Sequence, residues 1–189
     1  MRAREYRYFG EGLCALAHRG GWAAGPEVEN SVAAFTAAVE LGYRHLETDV
    51  HATADGVLVA FHDARLDRVT DASGAVAALP ASEVARARIG GREPIPTLDE
   101  LLETFPDACF NIDIKADAAT RPLARAIARH AAQDRVCVGS FSTRRLQEFR
   151  RLAGTRVATS VDPLGVVWYA YGVLGRRLLV PAGQALQVP

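Results

Sequence analysis

Short apolar runs rich in Val, Ile and Leu alternate along the chain with stretches of helical periodicity, the pattern of strands and helices around a parallel sheet. The strand candidates are residues 13–17, 45–50, 57–61, 109–114, 136–140, 157–161 and 185–188. Helices with recognisable caps fill the gaps. Asn30 or Ser31 opens one that buries Val32, Phe35 and Val39 and stops at Gly42. Thr97 and Glu100 form a capping box before Leu98, Leu101 and Leu102. Pro122 lies near the start of a helix carrying Leu123 and Ile127, and another helix runs from Ser142 to Ala153 and ends at Gly154.

One connection has no room for a helix. Ala54-Asp55-Gly56-Val57 is a tight-turn signal between two β runs. With Asp55 and Gly56 as the two loop residues, Ala54 faces Val57, Ala52 faces Val59 and Asp49 faces His62. Residues 64–95, rich in Ala, Arg and Asp and without a strong strand, read as a small rim insertion within one domain spanning 1–189.

In strands covered on both faces a mid-strand carboxylate would cost several kcal/mol, so polar residues should collect where strands end at a solvated mouth. His18 and Arg19 end the first strand, Glu47 and Asp49 sit at i and i+2 of the second, and Asp113 and Lys115 do the same in the 109–114 run. Alternation puts Glu47 and Asp49 on one face about 7 Å apart. Leu46 and Val50 point the other way, as do Phe110, Ile112 and Ile114. Three carboxylates at one mouth repel one another, and an all-oxygen set with room for water suits Mg²⁺ or Ca²⁺ better than Zn²⁺. With Arg19 and Lys115 added, the local balance favours a phosphodiester monoanion. His18 and His62 would flank the cluster as acid and base. The bland alternative for each motif alone is a capped strand end, a solvated edge or an exposed ion pair. His45 falls at the far end of its strand, His130 in an Ala- and Arg-rich helix that should leave it exposed, and His51 on the face of Glu47 and Asp49.

Composition narrows the partners. The chain has 189 residues, 49% hydrophobic and 23% charged, the balance of one globular domain. Twenty-two basic against 22 acidic residues remove the global electrostatic case for nucleic acid or an anionic membrane. Cys14, Cys109 and Cys137 form no CxxC pair and read as buried free thiols of a reducing compartment. Residues 1–12 lack the apolar centre of a signal peptide, so the expected location is cytoplasmic. The apolar stretch 164–180, with Trp168, Tyr169 and Tyr171, is broken by Arg176 and Arg177. It reads as a packed helix, with a membrane-surface helix as the alternative.

These motifs resemble the glycerophosphodiester phosphodiesterase family, whose HRG, ENT, ExD, TxDG and HD segments are met in order. Here they read AHRGG at 17–21, VENS at 28–31, LETDV at 46–50, TADG at 53–56 and VAFHD at 59–63, followed by NIDIK and VGSFS. The resemblance implies a TIM-type (β/α)8 barrel with the HD hairpin inserted after the second strand, related in mechanism to phosphoinositide-specific phospholipases C. It implies His18 and His62 as the acid/base pair, Glu47, Asp49 and Asp113 as ligands of one divalent cation, and Arg19 and Lys115 as substrate phosphate contacts. Glu29 and Asn30 would support the mouth from behind. Two features depart from the family. Asp113 stands where the family usually has Glu, one methylene longer, and such a barrel typically takes about 250 residues. About six of eight strands are counted, and the family's later Trp-Thr-Val-Asn strand and final Asp-Gly strand have no counterpart, so a fragment, a truncated product or a chain needing a partner is expected. The expected activity is metal-dependent hydrolysis of a glycerophosphodiester to glycerol 3-phosphate and an alcohol. The alternatives are a lysophospholipase D or sphingomyelinase-D-like enzyme, and an inactive phosphate-binding module.

Overall fold

The computed structural model describes residues 3–12, 14–171 and 182–185. Parallel strands β1 (Leu16–His18), β2 (His45–Ala52), β6 (Cys109–Ile114), β7 (Val136–Gly139) and β8 (Ala158–Thr159) lie side by side in that order. Helices α1 (Val32–Glu40), α3 (Leu98–Thr104), α4 (Thr120–Arg129) and α5 (Thr143–Ala153) form the crossovers. The result is the greater part of a (β/α) barrel. Ser160 bridges Ala185 in parallel; the rest of the 185–188 strand candidate and residues 172–180 of the apolar stretch lie outside the described residues. The preceding part of that stretch is α6 (Pro163–Tyr171). No helix among the described residues is long and apolar enough to cross a membrane.

Alternation along each strand divides the sheet into two chemistries. Leu46, Val50, Phe110, Ile112, Ile114, Val136 and Val138 face the helices and pack with Phe35, Leu98, Leu101, Leu102, Leu123, Ile127 and Phe149 in one buried cluster. In α1 the buried residues are Ala34, Phe35 and Ala38; Val39 is exposed, contrary to the sequence reading, because the buried face centres on Ala34 and Ala38 and Val39 falls at its edge. Ser31 caps α1 by accepting from Ala34 N at 3.1 Å, and Thr97 caps α3 through Glu100 N. Tyr6 and Tyr8, from the leading 3-10 turns, pack beneath the inner face against Cys137 and Ala158. His45 is fixed there by Tyr8 O at 2.8 Å, a structural role. His130 departs from the expected exposure: it folds over α3 with Nε2 2.9 Å from Asp99 Oδ1.

The hairpin also differs from the sequence reading. Strand β3 (Leu58–Ala60) pairs antiparallel with the end of β2, with Val50 opposite Ala60, His51 opposite Val59 and Ala52 opposite Leu58. The loop therefore holds three residues, Ala54, Asp55 and Gly56, not two. Thr53 closes it: its Oγ1 accepts from Val57 N at 3.0 Å and contacts Asp55 Oδ1 at 2.6 Å, while Gly56 takes φ +82°. Asp49 consequently faces Phe61, whose N donates to Asp49 O at 2.9 Å, and His62 falls one residue beyond. After β3, residues 64–95 carry short 3-10 turns, the single-turn helix α2 (Ala81–Val84), and the two-residue strands β4 (Arg88–Ile89) and β5 (Glu93–Pro94). Leu66, Val76, Val84, Ala87 and Ile89 form a separate small core there with Val59 and Phe61.

Between β1 and α1 the chain is held by two unusual positions. Gly20, at φ +87°, lies so close to α1 that a Cβ would stand 2.6 Å from Ala34 Cβ. Asn30, at φ +61° and fully buried, donates through Nδ2 to Asp49 Oδ2 at 3.2 Å and accepts from Thr48 Oγ1 at 2.8 Å.

Asn30→Ala should lower the unfolding free energy by about 3 kcal/mol, because buried polar groups lose partners and a side chain remains in the left-handed region. Asn30→Gly should recover about 1 kcal/mol of that loss; urea unfolding of the two variants measures both. Burial drives the Cys137 thiol up to about 12, whereas Cys14 and Cys109 are only half-buried. Iodoacetamide at pH 8 should therefore leave Cys137 unmodified in the folded chain and label all three thiols in urea, read by peptide mass spectrometry.

Candidate active site

The parallel register places the site. His18 pairs with Glu47, Glu47 with Asn111, and Asp49 with Asp113, so the polar residues lie at adjacent levels on the inner face. Glu47 accepts from Arg19 N at 3.0 Å, with its Oε2 3.8 Å from His18 Nε2. Arg19 reaches that position at φ +52°, a left-handed conformation at the strand end. Its Nε stands 3.4 Å from Asp49 Oδ2 without hydrogen-bond alignment, and Nη1 donates to Glu29. Lys115 Nζ sits between Asp49 Oδ1 at 2.9 Å and Asp113 Oδ2 at 2.7 Å, and 5.8 Å from the Phe141 ring.

Burial and the neighbouring Asp49 charge push the Glu47 carboxyl up to about 8. Lys115 is moved upward overall: partial desolvation opposes its charge, but its two carboxylate partners outweigh that. His18 is lowered by desolvation and then by Arg19, although two-thirds of its imidazole remains exposed. His62 is near enough to oppose the protonation of His18. Its Nδ1 stands 2.6 Å from Asp63 Oδ1, and its carbonyl meets His51 Nε2 at 3.1 Å. His51 is thus buried behind the hairpin and lowered by desolvation.

The donor chemistry fits a hard cation. Three carboxylates crowd adjacent levels, Glu47 is held toward its neutral form by burial and then by the Asp49 charge, and Asp113 Oδ1 is buried without a partner. As the side chains stand, Lys115 links two of the acids, and among the described residues no three His, Cys, Asp or Glu side chains converge on one point.

Several participants were missed in the sequence. Asn111 is buried on the inner face with an unpartnered Oδ1; two-residue alternation from Asp113 could have found it. Asp63 was legible only as half of a motif. Arg68, which engages both Asp63 and Glu29, had no signal, because its contact with Glu29 spans 39 positions.

Known proteins resemble this chain in sequence and fold. The model of the Glycerophosphoryl diester phosphodiesterase family matches residues 18–163. The chain is 44% identical over 167 residues to "Probable glycerophosphodiester phosphodiesterase 2" of Mycobacterium tuberculosis, covering 88% of this chain and 63% of that protein. It is 36% identical over 152 residues to a Caldanaerobacter subterraneus glycerophosphodiester phosphodiesterase, covering 73% of this chain and 62% of that one. The crystal structure of a glycerophosphodiester phosphodiesterase from Agrobacterium tumefaciens superposes with a TM-score of 0.69 at 28% identity, over 77% of this chain and 64% of its own. The chain thus spans a little under two thirds of these relatives. With the matched segment running from His18 through the whole acid cluster, this chain belongs to the glycerophosphoryl diester phosphodiesterase family.

Proposed function

We propose that the site hydrolyses glycerophosphodiesters to glycerol 3-phosphate and an alcohol, with one hard divalent cation, Mg²⁺ or Ca²⁺, held by Glu47, Asp49 and Asp113. The observation that carries this reading is the gathering of His18, Arg19, Glu47, Asp49, Asp113 and Lys115 on one inner face, with His62 carried within electrostatic reach of His18 by the hairpin. Bound there, the cation would withdraw charge from the phosphoryl oxygens.

The protein's own groups do the rest. One imidazole takes the proton from the attacking hydroxyl or water, and the other gives a proton to the leaving oxygen as its P–O bond breaks. Desolvation favours the neutral imidazole of His18, which leaves a ring nitrogen free to accept that proton. Arg19 Nε, a buried donor lacking a hydrogen-bond partner, and Lys115 Nζ neutralise the phosphoryl oxygens. Asn30 and Glu29 hold Asp49 and Arg19 from behind.

His18→Ala and His62→Ala should each reduce kcat on glycerophosphocholine by about 10²- to 10⁴-fold while the circular dichroism spectrum stays that of the parent. Full activity in both variants would remove the assignment, and faster turnover of lysolipids than of soluble diesters would reassign the substrate. Dialysis against EDTA should abolish turnover and Mg²⁺ or Ca²⁺ should restore it, followed by release of glycerol 3-phosphate.

A further inference from the structure

A chain of charged contacts runs from the end of β1 to the HD hairpin without passing through the acid cluster. Arg19 Nη1 donates to Glu29 Oε2 at 3.2 Å. Glu29 in turn accepts from Arg68, whose Nη2 meets Oε1. The other side of the same guanidinium donates through Nε to Asp63 Oδ2. The remaining oxygen of Asp63, Oδ1, lies 2.6 Å from His62 Nδ1. Arg68 stands in the 3-10 turn Leu66–Arg68, which Leu66 anchors in the insertion's small core.

We propose that Arg68 is a positioning residue: by holding Asp63 against Glu29 it fixes His62 in the Nδ1–H tautomer with Nε2 available to the substrate, and it ties this imidazole to the Arg19 loop. The proposal rests on the acid/base reading of His62.

The chemistry leaves one consistent assignment. Asp63 receives two donors and is held below the ordinary carboxylate range, chiefly by Arg68, so its carboxylate carries no proton to share. The 2.6 Å contact then requires the proton on His62 Nδ1. Half the Arg68 side chain is exposed, and a single ion pair at such a place does little for stability. A planar fork that spans two carboxylates on different loops instead supplies geometry, which a lysine ammonium supplies poorly. Without it, Asp63 can turn toward water and His62 is free to exchange tautomers.

The test uses ¹⁵N-histidine-labelled chain without added metal, alongside turnover of glycerophosphocholine. The parent should show His62 protonated at Nδ1 when neutral. Arg68→Met should introduce a substantial Nε2–H population and lower kcat by about 10- to 100-fold, the range for partners that orient a reacting group, with KM little changed. Arg68→Lys should fall between the two. In an Asp63→Asn background, Arg68→Met should add nothing further, since the guanidinium acts through that carboxylate. An unchanged tautomer in Arg68→Met, or a full additional loss in the Asp63→Asn background, overturns the proposal. If the parent turns over no phosphodiester, the acid/base reading fails on its own, while the tautomer experiment still decides whether Arg68 positions His62.

Discussion

Everything at the mouth depends on the Lys115 ammonium lodged between Asp49 and Asp113. Parallel pairing of β2 with β6 sets these carboxylates side by side, where two buried like charges repel. Removing ions from water costs roughly several kcal/mol each. Lys115 offsets that cost, as do the Asn30 amide on Asp49 and the Arg19 backbone N–H on Glu47. The fold accepts the acid cluster because each carboxylate has at least one donor aimed at it. Glu47, with a single backbone donor, has the strongly raised proton affinity.

The division of labour between the faces of the sheet was legible in the sequence for a simple reason. Two-residue alternation cannot be disguised when one face is wholly apolar, so Leu46, Val50, Phe110 and Ile112 declared the helix side, and Glu47, Asp49 and Asp113 the interior. Caps were legible for the same local reason, as at Ser31, Thr97 and Ser142. The resemblance supplied the barrel itself, which alternation alone left as a parallel sheet.

What was not legible depends on contacts that no local pattern encodes. The hairpin register turned on whether Thr53 would close the loop with its hydroxyl, and one residue of difference moved His62 past Asp49 instead of opposite it. His130 stands just past the end of α4 yet is largely covered, because Asp99 lies across from it on α3. Arg68 belongs to a stretch that reads as mere rim, and its partners are visible only once the insertion has folded back over the mouth.

The tyrosines under the inner face carry one more consequence. Tyr8 is buried within electrostatic reach of Glu47, and together with Tyr6 it lines the interior below the acid cluster. A stretch of chain some forty positions before Glu47 thus helps to close the floor of the barrel beneath the acid cluster. Loosening that leading segment would bare Cys137 and Ala158 and open the barrel from its floor.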